Sequence, residues 1–198
     1  PVAHLIAPNW AHYTHLKDWQ AAYPRAKVWA APGVVERAAK KGVTLAVDRK
    51  LKPDRAEAPW KGQLEQLIVA GSKIHREAVF FHKASRTLIL TDLIENIETA
   101  KLAARFRPFV WLNGIDDTDG KTPPLLRWTF RNKEAMADSV ETLIGWAPER
   151  IVLAHGRCYL RDGVGELERA FRKLLRVRKW DRILGDAKER KARDAAKR

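Results

Sequence analysis

The stretch APNWAHYTHLKDW, residues 7–19, sets two histidines three apart, His12 and His15, where a hydrophobic run gives way to a helix-like pattern. Neutral imidazoles bind first-row metals, so the pair offers two ligand nitrogens; it equally suits two surface histidines at the start of an ordinary helix. Two distant positions bear on the choice. Asp92 follows the apolar run TLIL, and His155 follows the run IVLA. In layered α/β proteins ligands gather at the ends of strands, where side chains from remote parts of the chain converge. Imidazole nitrogens beside a carboxylate suit Zn, Fe or Mn. Each feature also has a plainer reading: Asp92 before LIENIETA fits a helix N-cap, and His–Gly after a strand is a common turn.

The elements that must position these residues follow from periodicity and punctuation. Residues 2–7 read as a short apolar strand. Thr14 caps a helix over 15–22 that stops before Pro24. Residues 26–30 form a second strand, bounded by Ala31-Pro32-Gly33, and 34–41 a short helix stopped by Gly42. Residues 64–70 read as a strand. EAVFFHKASRTLILTDL, residues 77–93, is a hairpin with strands over 78–81 and 87–90 around a turn at 83–86. A helix is expected over 93–106, then a loop-rich stretch over 107–131. Asn132 caps a helix with Met136, Val140, Leu143 and Ile144 on one face, ended by Gly145. Residues 150–154 form a strand, and 165–184 the last helix, with Leu167, Phe171, Leu174 and Leu175 as its stripe. Alternating strands and helices mean a layered α/β or α+β fold.

The chain has 198 residues and a net charge of +14. That balance favours anionic partners: nucleic acid, anionic lipid or acidic substrates. Residues 169–182 hold seven basic residues and one acid, and residues 186–198 six and three, so +9 of the +14 lies near the C-terminal end. No nucleic-acid motif accompanies this charge, and a solvated helix is the plainer account. No apolar run approaches the roughly 20 residues of a membrane helix, and no leader pattern opens the chain, so a cytoplasmic protein with no membrane partner is expected. Cys158 is the only cysteine, which excludes an internal disulfide. It reads as a half-buried thiol, Ser85-Arg86 as a hairpin turn without a nucleophile elbow, and DDTDG (116–120) as an exposed turn lacking the downstream Glu of a calcium loop.

Taken together, WAHYTH (10–15), SRTLILTDL (85–93) and RIVLAHG (150–156) resemble the metallo-β-lactamase fold superfamily, whose pattern is H-x-H-x-D-H, a further His, a strand-end Asp and a strand-end His-Gly. APNWAHYTHLKDW, EAVFFHKASRTLILTDLIEN and WAPERIVLAHG resemble more narrowly its DUF4336 branch. The resemblance covers about residues 1–175 and implies an αββα sandwich. The first two or three strands of that fold have no counterpart. With the abrupt opening at Pro1, this leads us to expect a stretch missing before residue 1. A domain over 1–185 and a basic, disordered tail over 186–198 are expected.

The resemblance implies metal ligands at His12, His15, His75, Asp92 and His155, holding one or two ions of Zn, Fe or Mn. Asp92 is the implied catalytic residue, as the carboxylate that bridges two ions or completes one, and Glu77 is a further oxygen donor. Trp10 stands where the motif has its first His, and Thr14 where it has its Asp, and neither can do those jobs at neutral pH. The implied activity is metal-dependent hydrolysis of an ester, amide or phosphate bond; the resemblance gives no substrate, and the basic charge favours a small-molecule or anionic one. The rival is a non-catalytic scaffold or binding domain whose basic C-terminal helix contacts nucleic acid or other polyanions.

Overall fold

A computed structural model describes residues 1–195, with side chains described through residue 189. Two sheets form. In the first, β1 (His4–Ala7), β2 (Lys27–Ala30) and β3 (Arg49–Lys50) run parallel in that order. In the second, the order is β4 (Leu64–Ile68), β5 (Ala78–His82), β6 (Thr87–Ile89), β7 (Arg150–Val152). Its first two pairings are antiparallel and β6–β7 is parallel. The backbone N–H of Ala78 donates to the carbonyl of Pro8, so the end of β1 is tied to the start of β5.

The layering follows from the period-two alternation of side chains along β5. Ala78 and Phe80 face one core, with Ala7, Val28 and Ala30 of the first sheet, Leu16 of α1 (Leu16–Ala22), and Val34 and Ala38 of α2 (Val34–Lys40). Val79 and Phe81 face a second core with Leu88 and Ile151. That core is closed by Val140 and Leu143 of α5 (Lys133–Gly145), Leu167 of α6 (Gly163–Ala170), and Phe171, where the chain turns into α7 (Arg172–Ala195). Helices, sheet, sheet and helices stack in order, the expected αββα sandwich. Asn132 caps α5 as expected, its side chain accepting from Ala135 N–H.

Four expectations are corrected. No α-helix forms over 93–106, only single 3-10 turns at Thr99–Lys101 and Ala104–Phe106. Leu93 and Ile94 are fully buried, and the backbone N–H groups of Glu95, Asn96 and Ile97 donate to Lys121, His155 and Ile115. Tertiary partners replace the helical ladder, and the β-branched Ile94, Ile97 and Thr99 are weak helix formers. The stretch after it is not all loop: α3 (Arg107–Asn113) and α4 (Pro124–Thr129) lie there. DDTDG is no exposed turn. Asp116 is buried, Asp117 accepts from Thr99, and Asp119 is ion-paired with Lys121, Arg169 and Arg172. The last helix breaks at Phe171, and α7 continues as helical backbone through Ala195, past the end expected near Leu184 and into the segment expected as tail. Residues 196–198 of that segment lie outside the described residues. Among the described residues no helix is long and apolar enough to cross a membrane.

Candidate metal centre

The loop after β1 is shaped by Asn9. Its side-chain oxygen accepts from the N–H groups of Ala11 and His12 at 2.8 and 3.0 Å, an Asx turn that sends the His12 ring back over the strand ends. Its amide donates to Thr91 Oγ1 and Asp92 Oδ2, both at 2.8 Å. One fully buried side chain therefore fixes both the loop that carries His12 and the carboxylate that His12 meets.

Asp92 caps no helix. Its Oδ1 lies 2.9 Å from His12 Nε2 and 3.0 Å from His155 Nε2, and the two nitrogens are 3.2 Å apart. Bonds of about 2.0–2.2 Å to a tetrahedral ion place its ligand atoms about 3.3 Å from one another, so this donor triangle fits a first-row metal in both chemistry and size. Asp92 is nearly buried, while the His12 and His155 side chains remain 27% and 43% exposed, so the triangle faces solvent on its nitrogen side. Burial alone would raise the Asp92 carboxyl pKa. The hydrogen bonds and charge of the two imidazoles override it and hold the group well below the usual carboxylate range. The Asp92 hydrogen bond in turn raises the pKa of His155.

Behind the triangle lies a dry second group. Glu77 is fully buried; its oxygens accept from Thr91 N–H at 2.6 Å and Asp92 N–H at 2.9 Å, which pins the backbone that presents Asp92. His75 Nε2 sits 3.2 Å from Glu77 Oε2, and His75 Nδ1 has no partner among the described residues. Trp10 and Phe130 meet the His75 ring edge-on, and Arg37 lies over Trp10 at 4.6 Å. The indole at the position of the motif's first His thus packs against His75. His75, Glu77 and Asp92 offer ligand atoms within 4.8 Å of one another, so Asp92 is shared by both donor groups.

His15 is not brought to either group. Its side chain is 81% exposed and pairs with Asp18, and it is His15, not Thr14, that occupies the start of α1, with no side-chain cap. The α1 helix turns it outward while the Asx turn holds His12 inward. His82 bonds Ser85 in the hairpin turn, and Cys158 sits against the Leu153 backbone, so neither enters the site. Reading the sequence missed two residues. Asn9 carried a usable signal, an Asn able to close an Asx turn after a strand. Glu95, half-buried near the cluster with a pKa raised by burial and then by Asp92 and Glu77, was hidden by the helix expected across it.

The αββα architecture agrees with the comparisons to known proteins. A metallo-β-lactamase from Pontibacter korlensis superposes with a TM-score of 0.58 at 15% identity, over 88% of this chain and 70% of that one. The mono-zinc form of the metallo-β-lactamase FIM-1 from Pseudomonas aeruginosa gives 0.56 at 12% identity, over 89% and 68%. A metallo-β-lactamase from Erythrobacter litoralis with β-mercaptoethanol in its active site gives 0.57 at 14%, over 89% and 69%. At such identities the likeness is one of fold. Comparison with curated protein sequences finds no match. Residues 1–122 match the family described as a domain of unknown function, DUF4336. The chain belongs to that family and has the metallo-β-lactamase fold.

Proposed function

We propose that the protein binds one first-row metal ion, zinc, iron or manganese, through His12, Asp92 and His155, and hydrolyses an anionic ester, amide or phosphate substrate. The observation that carries this reading is the convergence of two Nε2 atoms and one carboxylate oxygen within 3.2 Å of one another. When bound, such an ion supplies Lewis acidity and an activated water nucleophile at neutral pH. Asp92 stays ionised, held by Asn9 and by the backbone that Glu77 anchors. The half-exposed imidazoles leave the centre open to solvent on one side. Glu95, with its raised pKa, is the group near the cluster suited to take up and return a proton nearer neutrality. The +14 charge favours an anionic substrate. His75 and Glu77 serve this centre as support: both Glu77 oxygens already accept backbone N–H groups, which argues for one ion over two.

Trp10 favours a second reading, a scaffold or binding domain that has lost catalysis, because it offers no donor where the superfamily motif carries a histidine. One experiment separates them. Purified tag-free protein is analysed for metal by inductively coupled plasma mass spectrometry, beside a His12→Ala/Asp92→Ala variant. Near-stoichiometric Zn, Fe or Mn that vanishes in the variant supports the metal centre, and a screen of nitrophenyl phosphates and esters then tests hydrolysis. No metal in either protein, even after loading, leaves the scaffold.

A further inference from the structure

Six large apolar side chains stand in solvent on α3, α4 and the turn before them: Phe106, Phe109, Trp111, Leu112, Leu125 and Trp128, with Leu112 88% and Trp128 72% exposed. Single exposed apolar residues are ordinary; a set this dense marks an interaction surface. The surface extends to α7. That helix meets α5 through Leu174, Leu175, Arg178 and Arg182, and leaves Val177, Trp180 and Leu184 exposed at spacing i, i+3, i+7. Lys173 and Lys188 continue the same stripe one turn before and one turn after. Two cavities join the parts. One of about 500 Å³ is lined by Trp111, Leu112, Arg127 and Lys173. One of about 300 Å³ is lined by Arg127, Lys133, Met136, Phe171, Lys173 and Val177.

Asp116 and Asp119 also line the larger cavity, and the charges left without an ion-pair partner on this face are basic. Lys121, Arg169 and Arg172 are ion-paired with Asp119, Arg169 also with Glu166, and Arg178 and Arg182 with carboxylates of α5. Arg127, Arg131, Lys133 and Lys173 have no carboxylate at ion-pairing distance among the described residues. Burial lowers the pKa of Lys133, and the charges of Arg127 and Arg131 lower it further, as expected of cations crowded without an anion.

We propose that this face docks on an anionic lipid bilayer, its tryptophan, phenylalanine and leucine side chains entering the headgroup region and its unpaired cations meeting lipid phosphates. Tryptophan and basic residues around aliphatic ones match the chemistry of that interface. Nucleic acid would meet the cations and stack on the rings, yet Leu112, Leu125, Val177 and Leu184 would gain nothing from it. A second copy of the same face would set Arg127, Arg131 and Lys133 against their own kind. The expectation of no membrane partner rested on the absence of a spanning segment, and a peripheral surface does not need one. The wall of the smaller cavity reaches the metal centre's strand end, since Thr122 donates to the carbonyl of Leu93.

The test is co-sedimentation of the full chain with vesicles of phosphatidylcholine alone or mixed with phosphatidylglycerol, over a range of salt. The parent protein is expected on the anionic vesicles and not on the neutral ones. Leu112→Ser/Trp128→Ser should weaken partitioning about tenfold with an unchanged circular dichroism spectrum. Arg127→Gln/Lys133→Gln should weaken it about as much and flatten the salt dependence. No binding to anionic vesicles, or equal binding by parent and both variants, overturns the proposal. So does a DNA duplex that binds as tightly and is indifferent to Leu112→Ser/Trp128→Ser. A dimer in sedimentation velocity that Trp180→Ser dissolves also overturns it.

Discussion

The Nε2 atoms of His12 and His155 lie 3.2 Å apart and both face Oδ1 of Asp92. The carboxylate is the element both imidazoles need, whether an ion or a proton lies among them. Asp92→Asn keeps the shape and removes the charge. We expect it to weaken metal affinity by about 100-fold or more, read by competition with a chromogenic chelator. His15→Ala is the matched control, since among the described residues His15 pairs only with exposed Asp18, and its affinity should equal the parent's. A matching loss in His15→Ala would mean that His15 swings in from α1 to bind.

Asn9 makes four hydrogen bonds from a fully buried side chain. Asn9→Ala strips Asp92 Oδ2 of its donor and unties the His12 loop. Leaving buried polar groups unpaired costs about 2–4 kcal/mol, which urea denaturation would read as a lower midpoint at unchanged slope. Removing a support of this kind also costs about 10–100-fold in metal affinity. An unchanged midpoint would show that the Asx turn forms without its side chain.

Glu95 sets a pH dependence with a definite sign. Burial, then Asp92 and Glu77, raise its folded pKa above the ordinary 4.5. The folded state therefore prefers the protonated form. That preference stabilises fully below pH about 4.5 and is lost as pH rises through the raised value. In chelator-treated protein Glu95→Gln should raise the melting temperature at pH 7 and leave it unchanged at pH 4. A lower melting temperature at pH 7 would mean that the ionised carboxylate is paired.

Gly156 lets the segment after Asp92 lie against the turn after His155. At φ +92° it adopts a conformation that other residues avoid, and a Cβ there would sit 1.9 Å from the Asn96 carbonyl oxygen. Asn96 N–H donates to the His155 carbonyl, and Arg157 N–H returns a bond to Asn96. Gly156→Ala should cost about 3 kcal/mol or more in thermal denaturation and release the metal as His155 shifts. Gly145→Ala, at the end of α5 with open space around it, should be neutral or stabilising by up to about 1 kcal/mol.

Where local pattern and burial agree, the sequence is readable. The alternation in AVFF, the Asn132 cap and the Gly145 stop all correspond to observed elements because each rests on neighbours in the chain. The segment after Asp92 is not readable in this way. Ile94 and Ile97 have helical spacing, but the backbone N–H groups of Glu95, Asn96 and Ile97 find their partners at residues 121, 155 and 115, which no local pattern reveals. The same holds for the centre. His12, Asp92 and His155 could be named from their places at strand ends. The difference between His12 and His15 could not, because it depends on a side chain of Asn9 folding back on its own loop.

His12 and Asp92 are 80 positions apart, and His12 and His155 are 143 apart. No partial chain that ends before β7 holds the complete donor set. Contacts so distant in sequence close late, after the loops between them have lost their freedom. The hairpin of β5 and β6 forms from neighbours, whereas the triangle exists only once β7 has docked in parallel beside β6. An ion that requires all three donors therefore recognises only the finished chain. Were such an ion bound, mass action would draw that state out of every incomplete one.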